Sequence, residues 1–427
     1  MIDINLIREN KDLVKENIRK KFKEERLPIV DEVYNLDIEF REAKKEADNL
    51  RNMKNKMSDE IGKLIREGKT LDVNTLKTRI AETSSRIKEL EAIEEELTPK
   101  IRELMYKIPN IIDESVPIGK DDSENKEIEK FGEPLIRDYE IPYHADILEN
   151  LNGLDKLSAG RTSGNGFYYL MGDIARLHEA VLAYARDFMI NKGFTYCIPP
   201  FMIRSDVVNG VMSFEEMDAM MYKIENEDLY LIGTSEHSMI GKFKGQIIDE
   251  KDLPIALTSY SPCFRKEVGA HGIEERGIYR VHQFEKQEMI VLCDESEGMD
   301  WYNKMWSYTV EFFRSMNVPV RTLECCSGDL ADLKQKSCDV EAWSPRQQKY
   351  YEVGSCSILG TAQARRLGIR CKGIDKTKYV TTLNNTVIAS PRGLIAIIEN
   401  NYNKDGSITV PEVLIPYMGG TKLISKK

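Results

Sequence analysis

An α+β protein, with an antiparallel sheet preceded by an antiparallel α-helical coiled-coil hairpin, is the fold class this sequence predicts. Three observations carry that reading. Two long N-terminal segments repeat apolar residues at alternating three- and four-residue spacings, and a stretch rich in Pro, Gly and acids follows them. Beyond it the period changes to short β-rich runs separated by a few helical ones. At 427 residues the chain is too long for one ordinary core, so two to three domains are expected. Its 31% charged residues are enough for one long solvated helical element beside a compact part.

The elements follow in order. Residues 1–26 read as a short helix with Leu6, Ile7, Leu13, Val14 and Ile18 on one side. Residues 27–66 place Val33, Leu36, Phe40, Ala43, Ala47, Leu50, Met57, Ile61 and Leu64 on a coiled-coil seam interrupted only by Lys54. Residues 76–108 repeat it with Leu76, Ile80, Ile87, Leu90, Leu97, Ile101, Leu104 and Ile108. Between them REGKTLDVN holds Gly68 and a helix-restarting Asp or Asn. The helices therefore fold back as a hairpin of about 50 Å, at 1.5 Å per residue. Lys63, Arg66, Lys69, Lys77 and Arg79 gather near that turn. A dimerisation element or rigid spacer is one reading of the hairpin; a one-sign patch on an acidic chain favours a lever that touches phosphate.

The first domain is expected to span 1–110, and PNIIDESVPIGKDDSENKEIEKFGEP, without any sustained period, reads as a linker over 111–135. Residues 136–427 form the second domain. It holds a helix around Ile174 to Lys192, a second one in DWYNKMWSYTVEFFRSMN, and β-rich runs such as YLIGTSE, LPIALTSYSPCF, IYRVHQFEKQEMIVLC, KYYEVGSCSIL and KYVTTLNNTVIAS. No GxxxxGK[ST] loop and no strand-to-helix GxGxxG is found, so a nucleotide would bind on the sheet.

A pI near 5.4 and a net charge of −10 argue against indiscriminate polyphosphate binding, so any nucleic-acid contact is local. No apolar run approaches the roughly 18 residues that cross a bilayer, and the first residues lack a signal-peptide core; a cytoplasmic protein with no membrane partner is expected. The eight cysteines show no Cys-x-x-Cys spacing and read as reduced, mostly buried thiols, with no zinc expected.

CFRKEVGAHGIEERGIYRVHQFEKQEM, residues 263–289, mixes both charge signs around a glycine-punctuated loop. Arg265 and Glu267 lie two apart on a predicted strand, and pleat parity puts them on one face. A guanidinium there can fork phosphate oxygens while a carboxylate accepts from an exocyclic amine. The returning strand puts Arg280, His282, Phe284, Lys286 and Glu288 on one side, with Phe284 offering a stacking surface. Taken singly, the Arg/Glu pair also reads as a surface ion pair and Phe284 as core.

FRKE…RGIYRVHQFEKQE resembles motif 2 of the class II aminoacyl-tRNA synthetases, specifically of the seryl-tRNA synthetases of zinc-independent type. GFYYLMGDIARLHEAVLAYARDFMINKGFTYCIPP resembles motif 1, and TLNNTVIASPRGLIAIIENNYNKDGSITVPEVLIPYMGG motif 3. The likeness extends to LIGTSE, the VPIGKDDSENKEI stretch and the hairpin. It implies a class II catalytic domain, a homodimer through motif 1, and a hairpin that grips serine tRNA, with selenocysteine tRNA admitted as a second acceptor. L-serine, ATP and Mg²⁺ are the implied substrates and cofactors. An activating homologue with another acceptor, or a non-catalytic RNA-binding paralogue, are the alternatives.

By the same resemblance, Arg265 holds the α-phosphate, Glu267 the adenine amine, and Phe284 with Val281 the adenine ring. Lys266, Glu352, Val353, Gly354, Ser355 and Arg392 complete the ATP site, Arg392 on the γ-phosphate and Glu352 with Ser355 on Mg²⁺. Thr234, Ser235, Glu236, Arg265, Glu288, Asn384 and Thr386 are the implied serine site, and Arg265, Arg392 and Glu352 the catalytic group. Lys63, Arg66, Lys69, Lys77 and Arg79 are the implied tRNA contacts. The chain departs from the family pattern at Gly354, Ile358, Thr361 and Ala362, at Ser235, and at Ile273, Glu274 and Glu275 of the motif 2 loop, where acids replace an expected base near the acceptor stem.

Overall fold

The structure is a computed structural model in which residues 1–66, 69–267, 277–373 and 376–426 are described. The chain divides into two compact units, Ile2–Pro109 and one formed by Met1 with Asn110–Lys427.

In the first unit, α1 (Ile4–Lys20) precedes α2 (Leu27–Arg66) and α3 (Thr70–Lys107), the last two packed as a hairpin. The 40 residues of α2 have the expected bounds and extend about 60 Å at 1.5 Å per residue, rather than the roughly 50 Å expected of the hairpin, and α3 begins at Thr70, closer to the turn than expected. Leu71, Asp72, Val73 and Asn74, expected in the turn, lie in α3, while Gly68 falls outside the described residues. The helices approach closely where the seam uses small residues: Ala43 and Ala47 meet Leu90. Asp37 is buried on α2, yet Arg8 brackets it at 2.7 and 2.9 Å and Arg41 at 2.8 Å, so the carboxylate keeps charged partners. In α1, Leu13 is 42% exposed rather than on the buried side with Ile7, Val14 and Ile18. Asn10 has non-helical backbone angles and its side chain accepts from Leu13 N at 3.1 Å, so the helix restarts there and its phase shifts.

In the second unit eight strands among the described residues form one sheet. In chain order they are β1 (Lys126–Phe131), β2 (Thr195–Tyr196), β3 (Ile255–Phe264), β4 (Gln283–Cys293), β5 (Val320–Glu324), β6 (Lys336–Ser344), β7 (Lys349–Gly360) and β8 (Thr381–Ala389). The spatial order is β1-β5-β6-β7-β8-β4-β3-β2, antiparallel throughout except β2 with β3. Residues 111–135, expected to be a linker, belong to this unit. Ile112 and Val116 are buried with Cys325 and Leu330, and β1 closes the sheet edge against β5. The sequence signal misled because β1 is an edge strand with five of its six residues exposed, which erases alternation.

Helices α4 (Gly172–Asn191) and α6 (Gly298–Ser315) cover one face of the sheet. Asn385 of β8 donates to Met305 O at 2.6 Å and Thr309 Oγ1 at 2.9 Å of α6. Strand alternation therefore sends its neighbours Asn384 and Thr386 to the opposite face. In β4, Glu285 turns toward His178 of α4, leaving Phe284, Lys286 and Glu288 opposite it. The core lies under the two helices, with Phe312 and Phe313 fully buried. Truncating Phe313 to Ala is expected to cost about 3–5 kcal/mol, read as a lowered denaturant midpoint for the second unit; an unchanged midpoint would show that the helix layer does not hold the sheet.

Candidate active site

On the face left open by α4 and α6 lies a cavity of about 350 Å³, within the range of small-ligand sites. Its wall is built from β4, β7 and β8, the segments just after β3 and β8 and just before β4, and residues drawn from 211–220, 234–237 and 331–334. Strand β3 ends at Phe264, so Arg265 and Glu267 lie past it rather than on it, contrary to the strand-parity expectation. Arg265 N still donates to His282 O at 2.9 Å, in the register of the ladder; the chain departs at Lys266, whose N donates to Met220 O at 2.9 Å, and Glu267 enters the left-handed region at φ 46°. Both Arg265 and Glu267 still line the cavity, whereas Lys266 between them does not.

The returning segment differs from expectation in the same way. Arg280, Val281 and His282 precede the first residue of β4. Arg280 lines the cavity and meets Glu267 Oε2 at 3.4 Å. His282 turns away, its ring 5.3 Å from that of Phe167 and its Nδ1 3.0 Å from Arg265 O. Val281, Phe284 and Lys286 line the wall, and the Arg265 guanidinium lies 5.3 Å over the Phe284 ring.

Glu352 and Ser355 are three apart, which on a regular strand means opposite faces. A bulge resolves this: β6 pairs Glu341 with Glu352 and Val340 with Gly354, leaving Val353 unpaired, and Glu352, Val353, Gly354 and Ser355 all line the cavity. Gly354 departs from the family pattern where space is short, since a Cβ there would come within 3.2 Å of Thr386 O. Arg392 opens α8 (Arg392–Asn400), donates to Glu352 Oε2 at 3.0 Å and lies 4.5 Å over the Tyr279 ring.

A second group gathers around Thr234, which caps α5 (Ser235–Gly241). The YLIGTSE run, expected to be β-rich, thus holds only a two-residue strand, Tyr230–Leu231, before the helix. Thr234 Oγ1 donates to Glu288 Oε2 at 3.0 Å, Lys286 Nζ reaches Thr234 Oγ1 at 3.4 Å, and Lys286 also pairs with Glu288. Thr386 sits directly across from Glu288 in the β8–β4 register, and Thr234, Glu236, Asn384 and Thr386 line the cavity. Glu288 lies just behind that lining, buried against Thr234 and Lys286. Ser235 is fully buried beneath the wall and does not reach the cavity, because the first turn of α5 turns its side chain inward.

Sequence reasoning passed over several lining residues. Lys334 and Glu216 lie on loop and short-helix positions that carry no pattern, and His237 and Tyr279 are single residues beside recognised ones. The expected tRNA contacts Lys63, Arg66, Lys69, Lys77 and Arg79 are all exposed at the turn end of the hairpin. Ile273, Glu274 and Glu275 of the motif 2 loop lie outside the described residues.

Charge in the cavity is set by burial. Burial, and then the Glu288 charge, push Glu236 up to about 7, against the pull of Gln363, Lys286 and Lys334. Burial also raises Glu288, offset by Lys286, Thr234 and Arg265. His237 is held down to about 3, first by burial and then by the Arg265 and Lys286 charges, and its Nδ1 has no partner among the described residues. Burial and the Glu352 charge push Asp339 up to about 7. The Asp339 and Glu352 carboxylates, with the Ser355 hydroxyl, are hard oxygen donors of the kind Mg²⁺ takes.

Residues 1–112 match the family model described as the seryl-tRNA synthetase N-terminal domain, and residues 220–401 the one described as the tRNA synthetase class II core domain (G, H, P, S and T). The serine–tRNA ligase of Pyrococcus horikoshii is 41% identical over 446 residues, covering 99% of this chain and 98% of that one. The serine–tRNA ligase of Methanocella arvoryzae is 38% identical over 427 residues, covering 99% and 100%. The crystal structure of seryl-tRNA synthetase from Pyrococcus horikoshii complexed with ATP superposes with a TM-score of 0.95 at 40% identity, covering 100% of both chains.

The neutral imidazole has a measurable consequence. Between the ordinary histidine range near 6.5 and about 3, the unfolded chain binds a proton at His237 that the folded chain refuses, so stability falls as pH falls through that window. The His237→Gln variant is expected to lose less of its denaturation midpoint between pH 6.5 and 4 than the parent; equal slopes would mean that the imidazole is not held neutral.

Proposed function

The chain belongs to the seryl-tRNA synthetase family, and from that premise we propose that it charges serine tRNA with L-serine at the expense of ATP, using the cavity residues in the roles that follow. The serine carboxylate attacks the α-phosphorus of ATP, forming seryl-adenylate and releasing pyrophosphate. The terminal ribose hydroxyl of the tRNA then attacks the seryl carbonyl and AMP leaves. No protein nucleophile takes part; the rate comes from alignment and from charge placed where charge develops.

The observation that carries this reading is a single cavity lined by two chemically different groups with Arg265 between them. Arg265 Nε donates to Gly233 O at 3.2 Å, next to Thr234, while its guanidinium covers Phe284. One group, Glu267, Val281 and Phe284, suits an adenine with its amine; the other, Thr234, Glu236 and Thr386 with Glu288 just behind them, suits a small molecule with an ammonium and a hydroxyl. Arg265 then faces the α-phosphate and serine carboxylate, and Arg392 the far phosphates. Glu352 and Ser355 are the residues that would hold Mg²⁺ together with ATP, and the bound ion supplies neutralising charge to the phosphates. Lys286 and Glu288 keep one positive and one negative charge paired in the small-molecule group before substrate arrives.

The same reading makes the hairpin of residues 2–109 the tRNA grip, through the exposed Lys63, Arg66, Lys69, Lys77 and Arg79. It makes the protein a homodimer through motif 1, residues 166–200, a segment in which Tyr169, Met171, Ile190 and Ile198 expose apolar surface. No helix among the described residues is long and apolar enough to cross a membrane.

Labelled pyrophosphate should exchange into ATP only when serine is supplied, and Arg265→Ala should lower that exchange by about 10²–10³-fold; exchange driven equally by another amino acid would refute the serine assignment. Replacing Lys63, Arg66, Lys77 and Arg79 together by Ala should leave exchange unchanged while weakening tRNA charging and flattening its dependence on salt. A loss of exchange in that variant would contradict a role confined to tRNA.

A further inference from the structure

Gln363 belongs to the QARR run, on α7 (Ala362–Leu367), and is fully buried. Its amide is held at both ends. Nε2 donates to Glu236 Oε1 at 2.8 Å and to Val211 O at 3.3 Å, and Oε1 accepts from Thr382 Oγ1 at 2.7 Å. A carbonyl oxygen only accepts, so the Val211 contact decides which end of the amide is nitrogen. Thr382, itself fully buried on β8, stops the amide from turning over. Glu236 is thereby tethered by one oxygen. Its other oxygen, Oε2, has no partner among the described residues, and the side chain lines the cavity.

We propose that Gln363, backed by Thr382, is a positioning residue for amino-acid recognition, locking one Glu236 oxygen so that the other is presented to the substrate ammonium. The inference rests on the role given above to Glu236. An untethered carboxylate on a three-bond side chain would lose rotamer freedom each time substrate bound; the tether removes that cost beforehand. It also biases protonation. The groups facing Glu236 are Glu288 and Lys286 of β4 and Lys334 of the segment before β6, with the neutral His237 on its own helix. Of these Glu288 opposes ionisation, the two lysines favour it, and the Gln363 N–H adds a donor that only the carboxylate form uses fully. The tether also explains why a substitution on α7, behind the wall, should be felt at the substrate.

The test is steady-state pyrophosphate exchange with serine and ATP varied separately, across pH, on the full-length protein. Gln363→Met, which keeps length but neither donates nor accepts, should raise KM for serine about 10-fold or more, with KM for ATP within twofold, consistent with losing a hydrogen bond to a charged group. The acid limb of kcat/KM for serine should move to higher pH, because ionised Glu236 has lost a donor. Thr382→Val, close in volume, should shift both quantities the same way by less, and it decides the matter should Gln363→Met not fold. Glu236→Gln separates the two claims. If it leaves KM for serine unchanged, the role of Glu236 itself is wrong; if it raises that KM while a folded Gln363→Met or Thr382→Val does not, only the positioning role is overturned. A rise in both KM values with an unmoved acid limb would likewise overturn it, as general loosening of the fold.

Discussion

The pairing register of β4 with β8 and β3 is the constraint on which the rest of the site depends. It sets Glu288 opposite Thr386 and Ser259, and Phe284 opposite Cys263. Because the pleat repeats every two residues, a slip by one would turn Phe284, Lys286 and Glu288 into the layer beneath α4 and bring Glu285 and Gln287 to the cavity. Contacts on the other face oppose that slip: Gln287 Nε2 of β4 donates to Thr258 Oγ1 of β3 at 2.8 Å, and Asn385 of β8 is held by Met305 and Thr309 of α6. Polar residues buried behind the sheet thus fix the cavity in front of it. Two bulges then adjust what pure alternation cannot deliver, one letting Glu352 and Ser355 share a wall, the other shifting β8 between Thr386 and Ile388 so that Ala389 also faces the cavity.

Within that frame the cavity is a balance of buried charges. Glu236, Glu288, Lys286, Arg265 and Lys334 are close enough to influence one another, and each would be costly alone in a poorly hydrated wall. Lys286 with Thr234 keeps Glu288 partnered, Gln363 keeps Glu236 partnered, and His237 stays neutral among cations. An arriving ammonium therefore meets acceptors already oriented, while the phosphates of a nucleotide meet Arg265 and Arg392. The hairpin handles charge differently. The basic residues near its turn are exposed, where salt screens them, and the buried acid Asp37 is bracketed by two arginines.

Much of this was legible from residue order alone. Coiled-coil spacing identified α2 and α3, since a long two-helix seam repeats locally and needs no knowledge of distant contacts. The likeness of residues 263–289 and of the motif 1 and motif 3 segments named the family and several of the cavity residues, and the sequence also determined, by parity, that Phe284, Lys286 and Glu288 share a face. Tertiary structure alone decided that Arg265 and Glu267 sit beyond β3, that Lys266 and Ser235 turn away, that Glu352 and Ser355 are brought together by a bulge, and that residues 111–135 complete the sheet through β1. It alone joined Gln363 and Thr382 to Glu236. The physical reason is common to all of these: periodicity reports the direction of a side chain only while the backbone stays regular and one face is buried, and strand ends, bulges, edge strands and contacts between distant elements are where one of those conditions fails.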